Sequence, residues 1–192
     1  RGAELIQSML AYSQRAKLSP ECMNLNPTVE DIIARDATSG AGRVVLTLGG
    51  DTSPINVDKA VFESVMLHLI KNARDAMPQG SDIHIETDSI MHGLTDERPF
   101  ATALAPGRYV RLSVRDRGVG IPSGNMQLIF DPFYTTKPVG SGLGLGLSKT
   151  LGFMQQSGGT VAVLSEAGKG ATIQLYFPAP ISDGNDLLTI SR

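Results

Sequence analysis

The sequence predicts an α/β protein, because helix and strand signals alternate along it. Three segments carry helix signals: an asparagine–proline start, a long apolar stripe, and a helical pattern that follows a run of glycines. Five shorter segments alternate in polarity or are rich in β-branched residues, as strands are. In chain order, the predicted elements are helix 27–38, strand 43–50, helix 59–77, strands 81–87 and 109–115, helix 145–157, and strands 160–165 and 171–177.

Local signals place some of the element boundaries. Asn26 followed by Pro27 predicts an N-cap and a first helical turn, and Asp58 predicts the N-cap of the longest helix. Residues 88–106 have no regular pattern, so we expect an irregular excursion there, with His92 in a polar loop.

The composition is that of an ordinary globular protein. Of the 192 residues, 41% are hydrophobic and 19% are charged, which is enough for one buried core. The 17 basic and 19 acidic residues give a net charge of −2, so the sequence lacks the charge pattern of a nucleic-acid-binding protein.

Cysteine content and hydropathy give an expected location. The single cysteine, Cys22, cannot form an internal disulfide, which suits a reducing compartment. No apolar run reaches the ~18 residues of a membrane span, and there is no signal-peptide pattern. We therefore expect a cytoplasmic chain without direct membrane contact, and a membrane anchor elsewhere in a longer protein stays open.

The first residues indicate a piece of a longer protein. The chain begins with Arg1 rather than methionine, inside residues 2–18, where apolar residues recur at helical spacing. Two interpretations of this helix stay open: the back half of a helical hairpin cut at Arg1, or a terminal helix packed on the domain. The predicted regions are 1–19 with this helix, a main domain at 20–178, and a flexible tail at 179–192.

The most informative stretch is residues 140–150, GSGLGLGLSKT. Glycine at every second position is unfavourable inside a helix, but it lets a backbone approach a ligand and leaves the first N–H groups of the next helix available. This arrangement favours phosphate binding at a helix N-terminus. A Walker-type loop and a dinucleotide fingerprint do not fit the spacing, because Ser148 precedes Lys149 and leucine occupies positions 145 and 147.

Other motifs carry polar candidates. His68 and Asn72 lie four residues apart and Asp75 follows one turn later, so all three belong to one edge of the long helix. Asp116 ends a strand and precedes two glycines, and the loop at 131–138 has the aromatic and basic residues of a mobile cover over a phosphate. Taken singly, these features have ordinary explanations, namely a solvated helix edge and a strand-ending turn.

The order of four motifs distinguishes between these interpretations. The motifs are NARDAM in the long helix, DRGVGIP at a strand end, FDPFYTTK in the loop, and GSGLGLGLSKT. In this order they resemble the catalytic and ATP-binding domain of sensor histidine kinases, whose superfamily also holds type II topoisomerase and heat-shock chaperone ATPases. The resemblance covers roughly residues 58–177, and residues 1–19 look like the end of the dimerisation and phosphoacceptor hairpin. It implies a two-layer α/β sandwich of the Bergerat type, with three helices on one face of a mixed sheet.

The resemblance implies roles at the phosphate end of the site. Asn72 would ligate Mg²⁺, which bridges the ATP phosphates, and Lys137 would contact the terminal phosphates. Asp75 matches a common variant of the first motif and is given a less direct role. The backbone of the glycine-rich run would donate hydrogen bonds to the phosphates through Gly142, Leu143, Gly144, Leu145 and Gly146.

The resemblance also implies roles at the adenine end. Asp116 would accept a hydrogen bond from the adenine amino group. Gly118 and Gly120 would let the strand end lie against the base, and Ile121 would form part of its apolar wall. The remaining matches are aromatic lid residues and a residue that closes the pocket, and these are Phe130, Phe133 and Thr172.

Two departures from the family's pattern bear on whether the predicted reaction is phosphoryl transfer or ATP hydrolysis. Where the topoisomerase and chaperone branch has an acidic base near one turn before Asn72, this chain has Met66, Leu67 and His68, and Glu63 lies more than two turns away. This favours phosphoryl transfer over hydrolysis.

The second departure is the missing phosphoacceptor. The three histidines are followed by leucine, isoleucine and glycine rather than by an acidic residue, and none lies in the first helix. The acceptor histidine is therefore expected before Arg1, in a protein that is homodimeric at full length. The phosphoryl group would then pass to an aspartate of a response-regulator receiver domain. Three alternatives stay open: a nucleotide-binding switch without chemistry, a stand-alone ATPase, and a serine-directed kinase with the same pocket.

Overall fold

The computed structural model describes residues 18–36, 42–50, 52–77, 81–93, 99–138 and 142–179. The predicted helix at 2–18 lies outside these residues except for its last position, and so does the predicted tail beyond residue 179. The three-region division of the chain therefore stays a prediction. No helix in the described ranges is both long and apolar enough to cross a membrane.

The described residues form three α-helices, one short 3-10 helix (Ser123–Asn125) and seven strands. The α-helices are α1 (Leu25–Asp36), α2 (Lys59–Ala76) and α3 (Gly146–Gln156). The strands are β1 (Glu21–Met23), β2 (Val44–Leu48), β3 (Ile55–Val57), β4 (Ile83–His92), β5 (Gly107–Arg115), β6 (Thr160–Ser165) and β7 (Ala171–Pro178).

Five of the strands form one mixed sheet in the order β2-β4-β5-β7-β6. The β2–β4 pair is parallel, and the other three pairs are antiparallel. The short strands β1 and β3 form a separate antiparallel pair next to the start of α2. These two strands were not predicted, because three residues are too few to show a period of two.

The helices cover one face of the five-stranded sheet. Along β5, Val110, Leu112 and Val114 are buried and alternate with residues of the opposite face, as strand geometry requires. Together with β4, β6 and β7 they pack against the apolar stripes of all three helices in a single core. In α2 the buried residues recur three to four apart, and these are Phe62, Val65, Met66, Leu69, Ile70 and Ala73. The predicted sandwich, with three helices on one face of a mixed sheet, is confirmed.

The opposite face is partly covered by the segment between β4 and β5. Phe100 forms an isolated bridge with Ala162, and Thr102 shares a 2.7 Å hydrogen bond with the Thr160 hydroxyl. The prediction of an irregular excursion over 88–106 was wrong in its first part, because β4 continues to His92. His92 is only 5% exposed rather than in a polar loop, and its Nε2 lies 3.0 Å from Leu104 O.

Helix α1 begins at Leu25, two residues before the predicted first position, so Asn26 is not an N-cap. Its side chain instead makes two long-range bonds: Nδ2 donates to Gly49 O at 2.7 Å, and Oδ1 accepts from the Thr87 hydroxyl at 2.7 Å. Asn26 therefore fastens the start of α1 to the residue after β2 and to the middle of β4.

Asp58 caps α2 as predicted. Its Oδ1 accepts a hydrogen bond from Val61 N at 3.1 Å, and its Oδ2 accepts one from Ser19 N at 3.0 Å. These backbone donors, Ser19 first, lower the pKa of the Asp58 carboxyl below its ordinary value. The Asp58 carboxylate thus caps α2 and also binds the backbone at Ser19.

The substitution Asp58→Ala should lower the free energy of unfolding by about 1 kcal/mol, the usual cost of losing a helix cap. Because the folded-state pKa is depressed, this contribution is present above the unfolded pKa of about 3.9 and is lost as pH falls through the folded value. Chemical denaturation at pH 7 and at pH 3 measures both effects. Glu30→Ala, which removes an exposed carboxylate from α1, is the control, and an equal loss in both variants would contradict the capping role.

Candidate functional site

The last two turns of α2 carry the polar residues of the site. Their apolar neighbours face the core, which leaves Asn72 half-buried at the edge of that stripe and Asp75 at the surface. Lys137, from the loop that precedes α3, reaches both of them. Its Nζ donates to Asp75 Oδ2 at 2.6 Å and to Asn72 Oδ1 at 3.1 Å. Three of the predicted site residues, which lie up to 65 positions apart, therefore form one cluster.

The N-terminus of α3 adjoins this cluster. Gly146 is the first residue of the helix, and Leu145, at the N-cap, makes no side-chain capping bond. A Cβ atom placed on Gly146 would lie 3.6 Å from Asn72 Nδ2 and 3.8 Å from His68 Cδ2. Since the first N–H groups of a helix have no partner within it, α3 presents backbone donors and a partial positive charge beside Asn72.

The loop before α3 is attached to the glycine-rich run. Phe133 N donates to Gly144 O at 2.9 Å, and Phe133 itself adopts a positive φ of 70°. Gly144 has a φ of +65°, and a Cβ there would lie 2.5 Å from Phe133 C and 2.6 Å from Tyr134 O. Only glycine fits this close approach. Beside it, Leu143 is 77% exposed and Phe133 is 41% exposed.

Asp116 lies at the end of β5 on the helix-facing side, where it is 8% exposed. Its Oδ1 accepts hydrogen bonds from Gly118 N at 2.8 Å and from Ala171 N at 3.2 Å. Burial raises the pKa of the Asp116 carboxyl, and the two backbone donors oppose that rise. Because both of these donors bind Oδ1, Oδ2 is the oxygen that suits a donor from a ligand.

The turn after Asp116 packs on the C-terminal end of α2. Val119 N donates to Ala76 O at 3.0 Å, and a Cβ on Gly118 would lie 2.3 Å from the same oxygen. Gly120 has a φ of +67°, and a Cβ there would lie 2.1 Å from Glu166 O. Ile121 N donates to the Ser165 hydroxyl at 2.8 Å, and its side chain packs on the core. The adenine-end and phosphate-end candidates are therefore both anchored on the last turns of α2.

Thr172 lines one surface pocket with Asp116, but its side chain lies on the other face of the sheet from the helices. In β7, Ile173, Leu175 and Phe177 belong to the helix-facing core, so the period of two places Thr172 on the opposite face. There it pairs with Arg115 and Leu164. The residue beside Asp116 is Ala171, one position earlier, and the alternation in ATIQLYF was the signal that distinguishes the two.

Residues 57–181 match the family of histidine kinase-, DNA gyrase B- and HSP90-like ATPases, which is more than half of the chain. The chain belongs to this family. Among curated relatives, sensor kinase CckA of Brucella abortus (strain 2308) is 37% identical over 185 residues, which cover 95% of this chain and 20% of CckA. The histidine kinase AtoS of Escherichia coli (strain K12) is 32% identical over 178 residues, 91% of this chain and 26% of AtoS.

Solved structures share the fold. The nucleotide-free catalytic domain of histidine kinase ThkA superposes with a TM-score of 0.66 at 21% identity, covering 85% of this chain and all of that one. Full-length ShkA in complex with AMPPNP gives 0.65 at 22% identity, covering 84% of this chain and 31% of ShkA. The chain is thus of the histidine kinase type within the family and forms its ATP-binding catalytic domain. It spans only 20% to 26% of the length of CckA and AtoS.

The substitution Gly144→Ala should destabilise the domain, since it adds strain at positive φ and a clash with the Phe133 backbone. We expect a loss of more than about 1 kcal/mol in the free energy of unfolding. Gly152→Ala is the matched control: this helical glycine has open space around its Cβ position, so alanine should stabilise by up to about 1 kcal/mol. Thermal unfolding of both variants measures the difference, and shifts of the same sign would contradict the packing described here.

The substitution Asp116→Asn should raise the melting temperature at pH 7, because it removes a charge that burial disfavours and keeps an oxygen for the two backbone donors. A raised folded pKa means that ionisation of Asp116 costs stability above that pKa and costs nothing below the unfolded value of about 3.9. The advantage of Asp116→Asn should therefore shrink as pH is lowered. Melting curves from pH 8 to pH 4 measure this, with the exposed Asp131→Asn as control. A destabilised Asp116→Asn at pH 7 would refute it.

Proposed function

We propose that this domain donates the γ-phosphoryl group of ATP to a histidine that precedes Arg1 in the full-length protein. The histidine nitrogen forms the new bond to phosphorus as the bond to the ADP oxygen breaks. The phosphoryl group then passes to an aspartate of a response-regulator receiver domain, and the full-length protein acts as a homodimer. The observation that carries this proposal is the convergence of Asn72, Asp75 and Lys137 at the N-terminus of α3.

The oxygens of this cluster suit a hard divalent cation. Asn72 Oδ1 and Asp75 Oδ2 together accept hydrogen bonds from the ammonium group of Lys137, which supports a cation site at these oxygens. Amide and carboxylate oxygens are also the ligands that Mg²⁺ takes from proteins when phosphates and water supply the rest. We therefore assign Asn72 as the residue that would hold Mg²⁺, which would supply charge neutralisation to the phosphates.

The chain's own groups then bind and orient the nucleotide. The N–H groups at the start of α3 donate to phosphate oxygens, where the helix dipole favours negative charge. Lys137 contacts the terminal phosphate. At the other end Asp116 Oδ2 accepts from the adenine amino group, and Ile121 packs against the base. A carboxylate here favours adenine over guanine, which presents an oxygen at the corresponding position.

Transfer is favoured over hydrolysis by the residues around Asn72. A water-activating carboxylate would be needed about one turn before Asn72, and the described residues there are Met66, Leu67 and His68. Glu63, the nearest acidic residue before them in α2, is bound to Arg35 of α1 at 2.8 Å. Steady phosphate release by this domain alone would support the ATPase alternative, and ATP binding without phosphohistidine in the full-length protein would support the switch.

The substitution Asn72→Ala should reduce both Mg²⁺-dependent ATP binding and phosphohistidine formation by at least about tenfold, the scale expected when a metal site is disrupted. Calorimetry with this domain measures binding, and acid-labile phosphorylation of the full-length protein from γ-labelled ATP measures transfer. Asn56→Ala, which changes an exposed asparagine of β3 away from the site, is the control and should retain both. Unchanged Mg²⁺ dependence in Asn72→Ala would exclude Asn72 as the ligand.

A further inference from the structure

The Lys137 ammonium group is hydrogen-bonded to Asn72 Oδ1, the same oxygen that the proposed function assigns to Mg²⁺ binding. Lys137 Nζ is 3.1 Å from Asn72 Oδ1 and 2.6 Å from Asp75 Oδ2, and the Lys137 and Asp75 side chains are 31% and 37% exposed. The contact is therefore partly shielded, and one ammonium is shared between an amide oxygen and a carboxylate.

The orientation of the Asn72 amide is fixed by its neighbours. An ammonium group only donates hydrogen bonds, so it requires the amide oxygen rather than the nitrogen. The Nδ2 atom is turned towards α3, where it lies 3.6 Å from the Cβ position of Gly146. Asn72 thus directs its only side-chain acceptor at Lys137.

Lys137 Nζ and Mg²⁺ cannot both bind Asn72 Oδ1 without strong electrostatic repulsion. An ammonium group and a divalent ion on one amide oxygen would lie a few ångströms apart and repel each other strongly in a partly shielded site. Binding of a metal–nucleotide to Asn72 therefore requires Lys137 to leave. Its side chain passes beside the glycine-rich run, since a Cβ on Gly142 would lie 3.6 Å from Lys137 Cδ. The displaced ammonium therefore remains next to the N-terminus of α3, where the phosphates are expected.

Asp75 holds Lys137 in this position. Its contact with Nζ is the shorter of the two and the only one made by a charged group, so Asn72 alone would hold the lysine weakly. The loop that carries Lys137 is also fastened by the bond from Phe133 N to Gly144 O. The Asp75–Lys137 pair adds a second attachment, between this loop and α2.

We propose that Lys137 is an internal substitute for the divalent cation: without nucleotide, Asp75 positions its ammonium group on Asn72 Oδ1, and Mg²⁺ with nucleotide displaces it towards the phosphates. This inference rests on the proposed function, which assigns Asn72 to the metal. It gives Asp75 the role of a positioning residue that acts through Lys137.

The first test measures how much Mg²⁺ is needed for ADP binding by calorimetry. ADP is the probe because it lacks the γ-phosphate, so loss of a lysine contact there cannot mask the effect. Lys137→Met removes the competing cation and should lower the half-saturating Mg²⁺ concentration roughly threefold to tenfold, as expected for one nearby charge at a partly shielded site. Lys71→Met, an exposed lysine adjacent to Asn72 in sequence, is the matched control and should leave the midpoint within about twofold.

The second test measures amide hydrogen exchange over residues 131–138 without nucleotide. Asp75→Asn and Lys137→Met should each speed exchange, and the double variant should be no faster than either, because both remove one attachment. Asp75→Glu, which keeps the charge, should restore slow exchange.

The outcomes separate the two proposals. Normal Mg²⁺–ADP binding by the wild type with an unshifted or raised midpoint in Lys137→Met would overturn the substitution of Lys137 for the cation and leave the proposed function standing. Additive exchange effects of Asp75→Asn and Lys137→Met would likewise overturn the role of Asp75. Failure of the wild type to bind Mg²⁺–ADP at all would overturn the proposed function and this inference with it.

Discussion

The hydrogen bond from Val119 N to Ala76 O holds the two halves of the site in one piece. On one side of it, α2 carries Asn72 and Asp75, which meet Lys137 and the start of α3. On the other side, the turn after β5 carries Asp116. The contact is possible because Gly118 lets the turn approach the end of the helix, where a Cβ would lie 2.3 Å from the carbonyl oxygen. A residue with a side chain at 118 would separate the proposed base-binding groups from the proposed phosphate-binding groups.

Most of the fold could be predicted because its elements are long or strongly patterned. The stripe of α2, the alternation of β5 and the cap at Asp58 each depend on residues close in sequence, and the structure has all three. Short or context-dependent features could not be predicted in this way. Within the described residues, strands β1 and β3 pair only with each other, and the extension of β4 from Asp88 to His92 is paired with β5 at five positions.

In the candidate site, too, residues with a sequence motif could be predicted, and contacts that depend on tertiary structure could not. Asn72 and Asp116 were predicted as site residues because their motifs occur in a family-specific order, and their roles stay proposals. The contact between Asp75 and Lys137 spans 62 positions and has no local signal. The face on which Thr172 lies follows from strand alternation and not from the motif. Ala171 donates a hydrogen bond to Asp116, and Thr172, the next residue of β7, points to the opposite face. Motif matching identifies which residues belong to a family site, whereas strand geometry decides which of them face it.

The shared carboxylate of Asp58 has a mechanical consequence. It holds Ser19 N and the first turn of α2 at the same time, through bonds of 3.0 Å and 3.1 Å. Helix α2 has 18 residues, so it is about 27 Å long and behaves as a stiff rod. Tension on the polypeptide where it enters at residue 19 is therefore carried to one end of this rod, and the proposed nucleotide-binding residues Asn72 and Asp75 lie near the other. A force applied at residue 19 can therefore shift the end of α2 that carries Asn72 and Asp75.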